Sequence, residues 1–365
     1  MPKGIIVFEW NSRSGMEILG AYPPAIAISE PLRLQIFQMH EYSGEAGIVS
    51  IFNEGVSVVS FYSGAETGTY IVLVLFADEV QNRFEEILNE TSPAIVSGRR
   101  SRDLEGVLKD QFNRIVQYAG FTKEQMLAHI YNDEKRRKIL GNLRQLGAVP
   151  KGELEIWLKD AYPRDYINVD ATCALFFNYK MVRSAMVKEI EYYVLVQDLY
   201  LSRVPPPAGL LGMKGKERIN GPIRRKYLAE CRDYFAKYDP LAENEQILID
   251  FVLDPGIYKI LNILRNSFFN PQANATAETS KNLDMKKLDR LVELNFASII
   301  ENKGERIYAL KSDIVIGTYF PESILDVILK NYADAVYGND VILGHLGILR
   351  EFYNEEVRPN DLLLT

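Results

Sequence analysis

Along the first hundred residues, apolar and polar positions follow the period of strands, and turn residues punctuate them. Gly4-Ile-Ile-Val-Phe-Glu-Trp10 is an apolar run closed by Asn11-Ser-Arg-Ser-Gly15, and Met16 to Tyr22 follows before Pro23-Pro24, which predicts a hairpin. Ser29 and Pro31 then mark a helix start, with Leu32, Ile36, Phe37, Met39 and His40 on one face. Three further β-rich runs, Ala46–Asn53, Gly55–Tyr62 and Gly68–Phe76, are separated by Asn, Glu, Ser and Gly. Asp78 is the expected cap of a helix through Val80, Phe84, Ile87 and Leu88. The predicted order is ββαβββα.

Past residue 98 the period changes to that of helices. Leu104, Val107, Leu108, Phe112, Ile115 and Val116 share a helical face, and Thr122-Lys-Glu-Gln125 matches a capping box. Beyond it the chain repeats itself. Tyr193, Leu195, Asp198 and Pro206 recur as Tyr308, Leu310, Asp313 and Pro321 at a constant offset of 115, and Lys138-Ile-Leu-Gly-Asn-Leu-Arg144 matches Lys259-Ile-Leu-Asn-Ile-Leu-Arg265. Each strand-rich copy predicts two short strands that turn around its aspartate and stop at proline. Helices are expected at 133–147, 151–161 and from Asn168 to Glu189 in the first copy, and at 243–253, 256–266 and 281–294 in the second. Helices followed by a hairpin are the order of a winged helix, so two such units are expected in tandem. A tail over 322–354 places Ile324, Val327, Ile328 and Tyr332 on an amphipathic helix.

The ββαβββα order, the Trp10 end of the first strand, the second strand running into Tyr22-Pro-Pro24, and the final hairpin Ser60-Phe-Tyr-Ser-Gly64 with Gly68 to Phe76 together resemble a longin-like domain. This is the five-stranded sheet fold related to roadblock and profilin-like modules. The resemblance covers residues 1–97 and implies a module without catalytic residues that dimerises, docks on small Ras-like GTPases and serves as a scaffold. Joined to winged helices, the plan is similar to that of small-GTPase regulators and of uncharacterised archaeal proteins. The expected fold class is therefore α+β multidomain. Its parts are a longin-like domain (1–97), a helical connector (98–130), winged helix 1 (131–207), a basic linker or helix (208–240), winged helix 2 (241–322) and a C-terminal helical tail (323–365).

Charge narrows the partners. The chain of 365 residues carries a formal net charge of −7 and is 47% hydrophobic, enough apolar residues for two or three cores. Residues 1–100 hold 6 basic and 12 acidic side chains, and residues 239–365 hold 12 and 20. Only 208–238, with 8 basic and 3 acidic, is cationic. Duplex DNA binding draws its affinity from neutralised phosphates, so acidic domains argue against a dedicated DNA binder. The two cysteines, Cys173 and Cys231, have no ligand spacing and fit a reducing cytoplasm. No signal peptide is expected, and no apolar run approaches the roughly 18 residues of a membrane span.

Motifs for chemistry are absent. His40, His129 and His345 are widely separated in sequence, so no metal site is expected. Gly209-Leu-Leu-Gly-Met-Lys-Gly-Lys216 fails as a phosphate loop, because Leu210 stands where the first glycine belongs and Glu217 replaces the Ser or Thr that would bind magnesium. No catalytic residue and no cofactor is expected. The candidate anion or partner contacts are Lys214, Lys216, Arg224, Arg225 and Lys226, interleaved with Tyr227, Tyr234 and Phe235. In the second unit the candidate contacts are Lys286, Lys287 and Arg290, but Asp284, Asp289 and Glu293 on the same helix would face phosphate repulsion in a major groove. The expectation is a non-enzymatic adaptor that binds a small Ras-like GTPase or another longin or roadblock chain, or pairs with itself. The alternative is a winged-helix DNA- or RNA-binding transcriptional regulator.

Overall fold

The computed structural model describes residues 2–11, 15–43, 46–53, 55–79, 81–163, 169–212, 221–271, 283–302 and 305–357. The chain is α+β and forms two compact units, each made of separated stretches. Unit 1 comprises 1–122, 141–196 and 323–365, and unit 2 comprises 123–140 and 197–322.

Unit 1 opens with β1 (Gly4–Asn11), β2 (Gly15–Tyr22), α1 (Glu30–Ser43), β3 (Gly47–Asn53), β4 (Val56–Tyr62), β5 (Thr69–Leu75) and α2 (Asn82–Gly98). The five strands form one antiparallel sheet in the order β2-β1-β5-β4-β3. Central β5 is buried over its whole length. It reads as a continuous apolar run because helices cover both faces of the sheet. Ile6, Phe8, Tyr70, Val72 and Val74 pack with Leu32 and Ile36 of α1, whereas α2 lies on β3, β4 and β5 and buries Phe84, Ile87, Leu88 and Ile95. An aromatic column runs through the α1 side, with Phe8 and Tyr62 stacked on Tyr70 at 5.1 and 4.6 Å. His40 is buried beside it, its Nε2 3.0 Å from Ser60 Oγ, and burial lowers its pKa to about 4.

Asp78 is not the cap of α2. The N-cap is Gln81, whose Nε2 donates to the Ile51 carbonyl at 2.7 Å and to Ser57 Oγ at 3.0 Å, so a tie to the sheet sets where the helix starts. Next, α3 (Leu104–Ala119) is capped by Asp103, which accepts from the Gly106 amide at 3.1 Å, and packs on α2 and β2. Gly20 permits this approach, because a Cβ there would lie 2.8 Å from Leu104 Cδ2.

After α4 (Lys123–Asn132) in unit 2, α5 (Glu134–Leu146) runs from unit 2 into unit 1. There it is followed by β6 (Ala148–Pro150), α6 (Lys151–Ala161), α7 (Val169–Asn178), β7 (Val182–Val187) and β8 (Ile190–Leu195). These strands form a sheet ordered β6-β8-β7. The helix expected to run to Glu189 instead ends at Asn178, and β7 and β8 form a hairpin. Lys188 and Glu189 turn it with φ of 49° and 65°, the conformation of a two-residue hairpin turn that normally recruits Gly or Asn.

Unit 2 contains α4, β9 (Asp198–Val204), α8 (Ala208–Gly212), α9 (Gly221–Phe235), α10 (Glu245–Leu253), α11 (Pro255–Asn266), α12 (Met285–Glu293), β10 (Ala297–Asn302), β11 (Glu305–Leu310) and β12 (Asp313–Tyr319). β10 and β11 pair as a hairpin, and Phe269 bridges to Tyr308 beside it. The expected turns around Asp198 and Asp313 do not form. Each aspartate begins a strand, and those strands, β9 and β12, pair with each other in an antiparallel ribbon. Burial gives these carboxylates a different task from turn formation. Asp313 accepts from its neighbour's amide, Ile314 N, at 2.7 Å and from Arg265 Nε at 2.8 Å, while Arg265 Nη1 and Nη2 reach Glu124 of α4 at 2.7 and 2.9 Å.

The chain closes in unit 1 with α13 (Ser323–Ala333) and α14 (Asn339–Phe352). Asn331 Nδ2 donates to the Leu146 carbonyl at 2.8 Å, Tyr337 Oη to Ala148 O at 2.7 Å and His345 Nε2 to Leu195 O at 3.3 Å. These bonds satisfy carbonyls at the end of α5 and in the small sheet. Ile324 and Ile328 are buried as their spacing expects, but Tyr332, placed with them by sequence, is exposed.

Candidate protein-interaction surface

A sheet exposes backbone donors and acceptors at its two edges, and the N-terminal sheet treats its edges differently. At one end stands β2, which carries the exposed Glu17 and has α3 packed on one face, with Leu104 and Leu108 against Gly20. At the other end of the strand order stands β3, with no further strand beside it among the described residues. Its sequence, Gly-Ile-Val-Ser-Ile-Phe-Asn, contains no charge and no proline, the two devices that most often blunt an edge. Ile51 is held in the core and Phe52 is 66% exposed. Around the same sheet, Leu34, Met39 and Tyr42 are exposed on α1, which packs against β3, and Trp10 lies half open on Phe37 at 4.0 Å.

The structure separates the cations singled out by sequence. On α12, Lys287 Nζ is 2.6 Å from Asp254 Oδ1, and the Arg290 guanidinium lies over the Phe251 ring at 5.3 Å. Asp254 is also the N-cap of α11, accepting from the Gly256 and Ile257 amides at 2.8 and 2.9 Å. Burial opposes its ionisation, but Lys287 and those amides outweigh it and hold its pKa below the ordinary value. Two of the three cations thus make contacts within the chain, although Arg290, like Lys286, stays exposed. Asp284 caps α12 by accepting from the Lys286 amide at 3.0 Å.

Arg225 and Lys226 are exposed on α9, and Arg224 is half-buried. The helix is fixed by the residue that follows them. Tyr227 is buried with Cys231 against Ile300, Ile307 and Ala309 of the β10–β11 hairpin, and its hydroxyl donates to Leu310 O at 2.6 Å. Lys214 and Lys216 lie outside the described residues.

Two charged networks escaped the sequence reading. Arg203 makes a paired contact with Glu243, Nε at 2.7 Å and Nη2 at 3.1 Å, donates to Leu294 O at 2.8 Å and lies 3.8 Å from the Phe296 ring centre. Arg265 joins Glu124 to Asp313, and Tyr258 Oη adds a bond to Glu124 at 2.8 Å. Burial works against the Arg265 charge, yet Glu124 and Asp313 outweigh it and raise its pKa. The signal for the second network was present, since Arg265 is the repeat partner of Arg144. These groups satisfy one another and present no nucleophile or general base to solvent. Among the described residues, no group of three or more His, Cys, Asp or Glu is arranged to hold a metal ion, and no helix is long and apolar enough to cross a membrane.

Comparison with known proteins yields no match to a family model, to a curated protein or to a solved structure.

Proposed function

We propose that the chain is a non-enzymatic adaptor whose N-terminal longin-like domain binds a small Ras-like GTPase or another longin or roadblock chain through the β3 edge. The helix and hairpin elements that follow act as two winged-helix units forming a protein-binding arm, and the protein works in a reducing cytoplasm. The observation that carries this reading is the contrast between the two strands that end the sheet: β2 carries the exposed Glu17, whereas β3 has neither charge nor proline. An added strand gains main-chain hydrogen bonds from such an edge, and exposed neighbours such as Phe52 supply specificity. Cys173 and Cys231 are buried and form no disulfide, in keeping with that compartment.

The test is binding of immobilised full-length chain to small GTPases in both nucleotide states and to longin or roadblock proteins, with Phe52→Lys beside it. A charge on the edge is expected to abolish the interaction while the chain stays folded. Retention of no partner, or retention that Phe52→Lys leaves unchanged, removes the reading. The alternative, a nucleic-acid-binding regulator, has the exposed Arg225, Lys226 and Lys286 in its favour. A salt-dependent complex with random duplex in a mobility shift would select it.

A further inference from the structure

The small sheet of unit 1 pairs its three strands, β6, β8 and β7, without help from the C-terminal segment, which then lies over it. Val341 of α14 clusters with Ala148 and Val194, Tyr337 meets Tyr192 edge-on at 6.4 Å, and Gly344 lies against Val187. His345 and Phe352 continue this buried side of the helix. The arrangement is that of an amphipathic helix seated on an apolar face.

Around the seat the two partners carry opposite charge. Residues 180–189 hold Lys180, Arg183 and Lys188 against Glu189, whereas 339–357 hold Asp340, Glu351, Glu355 and Glu356 against Arg350. All three cations are engaged by the segment: Lys188 with Asp340 at 2.7 Å, Arg183 with Glu355 at 3.0 Å, and Lys180 with Glu356. Each of these six side chains is at least 30% open to water, so every pair is screened and individually weak.

The helix is also weakened from within. Gly344 and Gly347 stand in its interior, where glycine is less favourable than alanine. Close packing asks for neither. Among the described residues a Cβ at Gly347 would meet nothing within 4 Å, and one at Gly344 would meet Val187 Cγ2 at an ordinary 3.7 Å. A water-sized cavity remains beneath the segment, lined by Leu146, Ala148, Ile342 and His345 among others. Dispensable glycines, ties open to solvent and incomplete packing mark a part that opens ahead of the sheet under it.

We propose that α14 is a releasable cover, and that the β7–β8 face beneath it is a docking surface for an amphipathic helix with acidic ends. The resident helix shows what the face accepts: an apolar side for Ala148, Val187 and Val194, and carboxylates for Lys180, Arg183 and Lys188. A partner helix of that chemistry competes with α14, and its apparent affinity scales with the fraction of chains whose cover is open. The surface is separate from the β3 edge and does not depend on the adaptor reading.

Hydrogen exchange of the full-length chain tests the cover, and a labelled peptide of residues 337–357 probes the face. Amides of α14 are expected to exchange at least about tenfold faster than those of β8. Gly344→Ala with Gly347→Ala is expected to slow α14 about tenfold, and Glu355→Gln with Glu356→Gln to speed it about fivefold. Peptide binding follows the same equilibrium, tightest to the glutamine variant, weaker to the parent and weakest to the alanine variant. Exchange of α14 no faster than that of β8, alanines that leave it unchanged, or a peptide that binds none of the three chains or all of them equally overturns the proposal.

Discussion

Leu201 and Ile316, which occupy the same position in the two sequence repeats, are Cα partners at the centre of the β9–β12 ribbon. The register around them is symmetric: Asp198 pairs with Tyr319 and Asp313 with Val204, so exchanging the repeats maps every pair onto another pair of the ribbon. Two equivalent strands that meet antiparallel about a central pair have the local symmetry of an isologous contact between subunits, realised here within one chain. Helices follow the same plan, since α4 packs on β12 and α10 on β9.

The ribbon's inner face is where its stability resides. Ile316 is buried, as are Leu199 and Ile314 on that face, while Tyr200 and Gly317 lie on the other face. Ile316→Ala is expected to cost about 2–5 kcal/mol, from lost burial and a residual cavity. Gly317→Ala adds a Cβ 2.8 Å from the Tyr200 ring, and displacing that exposed side chain is expected to cost less, about 1–3 kcal/mol. Urea unfolding of the full chain measures both. Equal costs, or no cost at Ile316, would mean that the ribbon is not what holds unit 2 together.

Removing the guanidinium that joins Glu124 to Asp313 tests a different link. Arg265→Met strands two carboxylates, of which Asp313 is almost wholly buried, and is expected to destabilise unit 2 by about 3–5 kcal/mol. Adding Glu124→Gln and Asp313→Asn to that variant is expected to recover part of the loss, because neutral amides cost less to bury than unpaired charges. Unfolding midpoints of the single and triple variants decide. A triple variant no better than Arg265→Met would show that packing of the long side chain, rather than charge, is what matters.

How much of this was legible in the sequence depended on distance along the chain. The N-terminal sheet was readable because its strands are short apolar runs cut by local turn residues, as at Asn11–Gly15 and Ser63–Gly68. β7 was not, because Met181, Val182, Ala185 and Met186 also fit the spacing of a helix face, and the turn at Lys188-Glu189 adopts positive φ without Gly or Asn. The ribbon was out of reach for another reason. Asp198 and Asp313 were found as a repeat, but that their strands pair with each other is a contact across more than a hundred residues, which no local pattern encodes. The α12 cations show the same limit: Lys287 and Arg290 read as a surface until Asp254 and Phe251 are seen beneath them.

Acid should act first on unit 1, through two histidines buried in their neutral form. Burial holds both His40 and His345 at about 4, against 6.5 for the free side chain, although the bond to Leu195 O opposes the shift at His345. Because the folded value lies below the unfolded one, their contribution is complete above 6.5 and is lost as pH falls from there toward about 4. Each accounts for at most about 3 kcal/mol over that interval. Asp170 and Asp254 act lower, because burial raises both but ion pairs and hydrogen bonds outweigh it and hold them below 3.8. Urea midpoints of the parent and of His345→Leu, measured from neutral pH down to about 4.5, are expected to converge as pH falls. The variant starts lower, for want of the bond to Leu195 O, but has one titration fewer to lose. Parallel curves would mean that His345 takes up its proton alike in the folded and unfolded chain, and its burial as a neutral ring would have to be given up.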